Sequence, residues 1–173
     1  MLACGQEFEA GHRPLGETRV LTVLLIVHSL MAVALLGAIT HQTVGVWWPA
    51  KKRTGSFVSS LRSVPSMTYT NAVIVLFILT MIVGSIIYTE YRVSIRVTLQ
   101  DYRMYVPEGA FELKEHVASI ALGLLPAYWY YWRQSLSQDR ATTRAMVTTL
   151  VACIVWYNFL VGHVVNNIRG FGS

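Results

Sequence analysis

Along this chain, apolar residues gather into four long runs, residues 20–40, 72–88, 117–132 and 145–165, and none of them contains a formal charge. At about 1.5 Å rise per residue, helical runs near 20 residues match the hydrocarbon thickness of a bilayer. In lipid every backbone N–H and C=O needs an internal partner, and unbroken runs lack the period-two alternation of a membrane barrel. The pattern predicts an all-α fold: an integral membrane four-helix bundle, antiparallel and up-down, in a single transmembrane domain.

The segments between the runs refine this. The first run leads into "VGVWWP", where Trp47 and Trp48 read as interfacial anchors and Pro49 as a stop. Tyr128 to Trp132 read as the matching anchor of the third helix, and Pro126 as a kink, because proline removes a backbone donor and crowds the preceding turn. A partly ordered loop is expected between helices 2 and 3, over residues 90–115. Within it Val93, Ile95, Val97 and Leu99 alternate with Ser94, Arg96, Thr98 and Gln100. That period favours an extended strand, or a segment lying in the membrane interface. "VPEG" at 106–109 is expected to break the chain before the third helix.

Composition agrees with the pattern. Of 173 residues 54% are hydrophobic and 13% charged, against about 25% charged in soluble domains. The length accommodates one bundle and no second domain. Cys4 and Cys153 are too few and too far apart to imply a disulfide framework. A net charge of +5 would point to nucleic acid in a soluble chain. Here the cations flank apolar runs, so anionic lipid headgroups account for them, and no nucleic-acid partner is expected.

Four crossings put both ends of the chain on one face, with the 90–115 loop. The 14 Lys and Arg divide evenly between the two faces. The compact triple Lys51, Lys52, Arg53 favours its own face as cytoplasmic, which leaves both termini outside, in what reads as a bacterial cytoplasmic membrane. The stretch before the first run is a poor basic leader for a signal peptide, so the first helix is expected to be retained.

Candidate chemistry rests on histidine. His28 falls within the first helix, His116 at the start of the third and His163 near the same end of the fourth; His12 lies in the N-terminal tail and His41 ends the first helix on the opposite face. On the third helix Glu112, His116, Ser119, Gly123 and Ala127 recur at steps of three or four, as do Thr149, Ala152, Trp156, His163 and Asn167 on the fourth, the spacing of a helical face. Polar and small residues in such stripes normally face the bundle interior, and an intramembrane histidine is a functional hypothesis by default. One reading is a b-type haem held between His116 and His163, with His28 as substitute ligand. Small residues such as Ala32, Gly37, Gly123 and Ala127 would make room, and Arg169, Arg92 or Arg96 would pair with the propionates. A second reading is a metal site: Glu112 and His116 share a helical face, and His163, with His28, Asp101 or Glu108, would complete it. In a third the histidines only join helices, and the chain is a cofactor-free accessory or structural subunit of a larger membrane complex. No arrangement of Ser, His and Asp or of Cys and His recoverable from spacing supports hydrolytic chemistry.

The segments "TYTNAVIVLF", "FELKEHVASIALGLLPAYWYYWR" and "FLVGHVVNNIRGFG" resemble those of bacterial integral membrane proteins whose role is not established. The layout of four helices with scattered histidines resembles small bacterial membrane proteins of the copper-resistance D type and compact four-helix b-type cytochromes. The cytochrome resemblance implies electron transfer through His116 and His163. The copper resemblance implies a metal role at the same positions. The partners expected on either reading are the bilayer and other membrane subunits.

Overall fold

The computed structural model describes residues 15–48, 66–135 and 137–171, and all of its regular structure is helical. Helix α1 spans Leu15–Trp47 and α2 Ser66–Glu90; a π-helical turn, Tyr91–Ile95, carries α2 directly into the short α3, Arg96–Asp101. Helix α4 spans Tyr105–Arg133 and α5 Gln138–Phe171. The four long rods are thus α1, the continuous α2–α3, α4 and α5. The apolar runs named the rods correctly but undershot their length, because helix continues into polar residues at both ends of each run.

Neighbouring rods are antiparallel, as paired contacts show. Gln42 meets Thr70 while His28 meets Gly84, so α1 and α2 run oppositely. Trp47 meets Thr149 while Trp156 meets Thr40, which does the same for α1 and α5. Trp132 against Thr148 and Ala110 against Tyr157 reverse α4 and α5. Packing runs around a square, α1 to α2 to α4 to α5 and back to α1.

The strand expected at residues 93–99 is helix instead. Tyr91 and Leu99 are buried and Ile95 half-buried, a spacing of four, while Val93 and Val97 are exposed. The alternation therefore reflected apolar residues on two sides of a helix. Among the described residues there is no strand for such a segment to pair with. The π turn adds a residue to the helical repeat, the usual form of a local π-bulge.

The partly ordered loop is also absent. Helix α3 ends at a tight turn in which Arg103 N–H donates to Gln100 O (2.9 Å) and Met104 N–H to Leu99 O (2.7 Å). This is the Schellman bond pair, with Arg103 at φ 56° where glycine is usual. "VPEG" does not break the chain, because Pro107 sits in the first turn of α4, where a missing N–H costs nothing. Pro126 lies within the same helix.

Two apolar cores fill the bundle. The larger gathers Leu35, Ile39, Val73, Phe77, Ala121, Leu125, Tyr128 and Val151 with their neighbours. The smaller joins Tyr91, Leu99 and Val165 to Tyr88, Phe111 and Ile168 at the end that carries the 102–104 turn. The aromatic cluster at the end of α4 divides. Tyr128 and Trp132 are core residues, and Trp129 and Tyr130 face outward. Tyr128 O–H donates to Gln42 Oε1, and Gln42 Nε2 donates to Thr70 Oγ1 at 2.9 Å, so three helices share one buried polar chain. Arg144 on α5 donates to the Tyr131 and Gln134 carbonyls (2.9 and 2.8 Å) at the C-terminus of α4, with its guanidinium over the Trp132 ring. A cation there satisfies orphan carbonyls and complements the helix dipole.

The outer surface is aliphatic. Val23, Ile26 and Leu30 on α1, Val75, Ile78 and Ile82 on α2, and Leu150, Leu160 and Val164 on α5 are all exposed. Three of the rods are long and apolar enough to cross a membrane, over Arg19–Trp47, Thr68–Asp101 and Gln138–Ile168. Helix α4 does not reach that standard, because it is charged in its first third and aromatic in its last. Lys51, Lys52, Arg53, Arg62, His12 and Cys4 lie outside the described residues.

Candidate functional site

His116 and His163 are both on the outside of the bundle. His116 Nδ1 lies 2.8 Å from the Glu112 carbonyl one turn back on its own helix. His163 Nε2 lies 3.1 Å from Asn167 Nδ2, also within its own helix, and the ring is parallel to that of Phe159. The expected stripe on α4 lies on the face opposite the true inner one. Ala118, Ala121, Leu125, Tyr128 and Trp132 point inward, the first three each two residues or about 200° from His116, Ser119 and Gly123. Gly37 and Gly123 are exposed, and a side chain built at either would meet nothing within 4 Å, so both face outward. On α5, Ala152 is buried and Thr149 half-buried, whereas Trp156, His163 and Asn167 are exposed.

The proposed metal set is likewise not gathered. Among the described residues, no three His, Cys, Asp or Glu side chains are grouped to hold a metal ion. Glu112 Oε1 lies 3.1 Å from Arg96 Nη1, and Arg96 Nε donates to Glu108 Oε1 at 2.9 Å. Arg96, a candidate for propionates, is therefore committed to two carboxylates. Arg92 lies over the Tyr88 ring, 5.8 Å from its centre. The side chain of Arg169 lies outside the described ones.

Two polar clusters emerge whose members spacing did not bring together. One closes the end of the bundle. Glu108 is buried and receives Arg96 and Gln100, and the Tyr91 ring stacks on Phe111 at 3.8 Å below them. This cluster ties the π turn and α3 to the first turns of α4. The other lies between the helices. The His28 ring packs on α2 so closely that a Cβ at Gly84 would sit 3.0 Å from its Cε1. The ring approaches the Thr80 backbone carbonyl. Nδ1 itself is buried without a hydrogen bond of proper geometry, and so is Thr80 Oγ1. From α4, Lys114 and Glu115 come within electrostatic reach of the ring. Lys114 is only 16% exposed, bonds Glu115 Oε1 at 2.9 Å and lies over Phe111. Gly162 of α5 lies beside the lysine stem.

Lys114 was legible only as one charge among several before the third apolar run. Its inward direction follows from helix beginning at Tyr105 rather than near residue 117, a boundary that hydropathy does not mark. Of the three candidate histidines, the structure places His28 alone within the bundle.

No protein-family model, curated protein or solved structure matches this chain.

Proposed function

We propose that this protein is a four-crossing membrane bundle that serves as an accessory or scaffold subunit of a larger membrane assembly. The observation that carries the reading is the distribution of side chains. Long aliphatic residues cover the outside, while Gln42, Thr70, Thr148, Arg144 and Glu108 are inside. In water that arrangement would leave far more apolar surface than the few hundred Å² a monomer tolerates. In lipid it is the stable one, since the solvent is itself apolar and polar groups must find partners within the protein.

The accessory role, rather than electron transfer, is favoured by the rings of His116 and His163, which point away from the interior and bond within their own helices. A b-type haem would need two imidazoles directed at one iron from opposite faces of a macrocycle. The bilayer is one partner. The others are membrane subunits.

The test is the full chain extracted from membranes in mild detergent, with absorption spectra recorded oxidised and reduced and metal content measured on the same sample. The scaffold reading expects a discrete complex on a native gel, larger than the chain in its detergent belt, and no visible absorbance from the chain itself. Reduced-minus-oxidised b-type bands that disappear in His116→Ala or His163→Ala would replace it with the electron-transfer reading. Stoichiometric copper, zinc or iron would replace it with metal binding.

A further inference from the structure

His28 Nδ1 on α1 and Thr80 Oγ1 on α2 are buried polar atoms where the two helices pack, and neither makes a hydrogen bond of proper geometry. Serine and threonine hydroxyls elsewhere in these helices donate back to the carbonyl one turn earlier, as Ser29, Thr43 and Ser85 do. Thr80 does not. Native proteins leave few buried polar atoms unpaired, and a small polar site between them is commonly filled by water, which needs two to four partners. The Thr80 carbonyl beside the ring supplies a third.

The charges around this seam are balanced. Lys114 and Glu115 of α4 are within electrostatic reach of the imidazole and are paired with each other, and α2 contributes Thr80 and Gly84. A neutral occupant suits a neutral surround, because an unpaired ion there would bear the full cost of desolvation. Towards the other end of the bundle the interior is closed by Leu35, Phe77, Ala121 and the residues packed on them. Towards the 102–104 turn lies Glu115, whose side chain is about one-third exposed.

We infer that water occupies the α1–α2 seam, bonded to His28 Nδ1 and Thr80 Oγ1, and that it joins His28 to the Lys114–Glu115 pair as a hydrated site reached from one face of the bundle only. His28 is then an intramembrane imidazole in contact with solvent through the protein rather than through lipid. The inference rests on the packing of α1 against α2 and stands whether or not the bundle has partner subunits.

The experiment is water-edited NMR on the full chain in lipid nanodiscs with ¹⁵N-labelled histidine, the His28 ring signals being assigned by their loss in His28→Gln. Magnetisation transfer from water to the His28 ring is expected in the wild type. It should be lost in Thr80→Val, which keeps the shape and removes the hydroxyl, and retained in Thr80→Ser. An unchanged His41 signal, from a ring stacked on Tyr69 near the other end of the bundle, reports that the fold persists. A wild-type His28 ring with no water transfer would overturn the inference, and so would transfer that survives Thr80→Val undiminished.

Discussion

At the scale of single residues, Arg103 is where backbone geometry and residue type conflict. Its φ of 56° is the left-handed conformation that closes the Schellman turn. An L-residue with a Cβ is disfavoured there by about 1–2 kcal/mol relative to the right-handed region, a cost that glycine escapes. Arg103→Gly should therefore stabilise the protein by about 1 kcal/mol, read as a higher midpoint of thermal or denaturant unfolding in detergent. A lower midpoint would mean that the guanidinium makes a contact worth more than the strain. The unfolded chain also gains freedom from the glycine, so the gain should fall short of the full conformational penalty.

At the scale of elements, α2, the π turn and α3 behave as one rod whose last two turns are held to α4 by a few polar contacts. Arg96 bridges Glu108 and Glu112, Gln100 donates to Glu108, and Tyr91 stacks on Phe111. Removing the guanidinium leaves two carboxylates facing each other. Arg96→Gln should consequently raise amide hydrogen exchange across residues 91–104 while leaving the cores around Ile39 and Val151 protected. Uniformly faster exchange would show instead that the cluster supports the whole bundle. This region also marks the limit of what the sequence discloses. Hydropathy located the four rods because lipid-sized apolar runs have few alternatives. It could not distinguish a strand from a helix at Val93–Leu99, since β-branched residues on two helical faces imitate period two. The inner face of α4 was missed for a related reason. With Leu, Ile, Ala and aromatics on every side, the rule that small and polar residues face inward chose the Gly123 stripe, whereas Leu125, Tyr128 and Trp132 fill the interior. The candidate site was legible only in His28. Its partners Thr80, Gly84 and Lys114 come from other helices, and only the register between rods brings them together.

At the scale of the whole molecule, the question is whether α4 crosses the bilayer with its neighbours. By composition it falls short of the standard that the other three rods meet. Its position supplies what its composition lacks. Helix α4 packs against both α2 and α5, runs antiparallel to each, and buries Ala121, Leu125 and Tyr128 in the same core as Ile39 and Val151. If the rods beside it span, its two ends must lie on opposite faces. Rods of 29 to 34 residues are also long enough, at about 1.5 Å per residue, to extend past a hydrocarbon layer of about 30 Å. The charged first third of α4 can then lie in the headgroup region, level with the Tyr91 and Arg96 cluster, while its middle passes through the oil. Single cysteines placed at Tyr102 and at Ser135, in a chain whose own Cys4 and Cys153 are changed to serine, test this directly. In sealed vesicles an impermeant maleimide should label one position from outside, and the other only after the bilayer is permeabilised. Labelling of both from the same side would mean that α4 does not cross and that three spans hold the bundle in the membrane. The two ends of the chain would then lie on different faces, and the orientation inferred from Lys51–Arg53 would apply to only one of them.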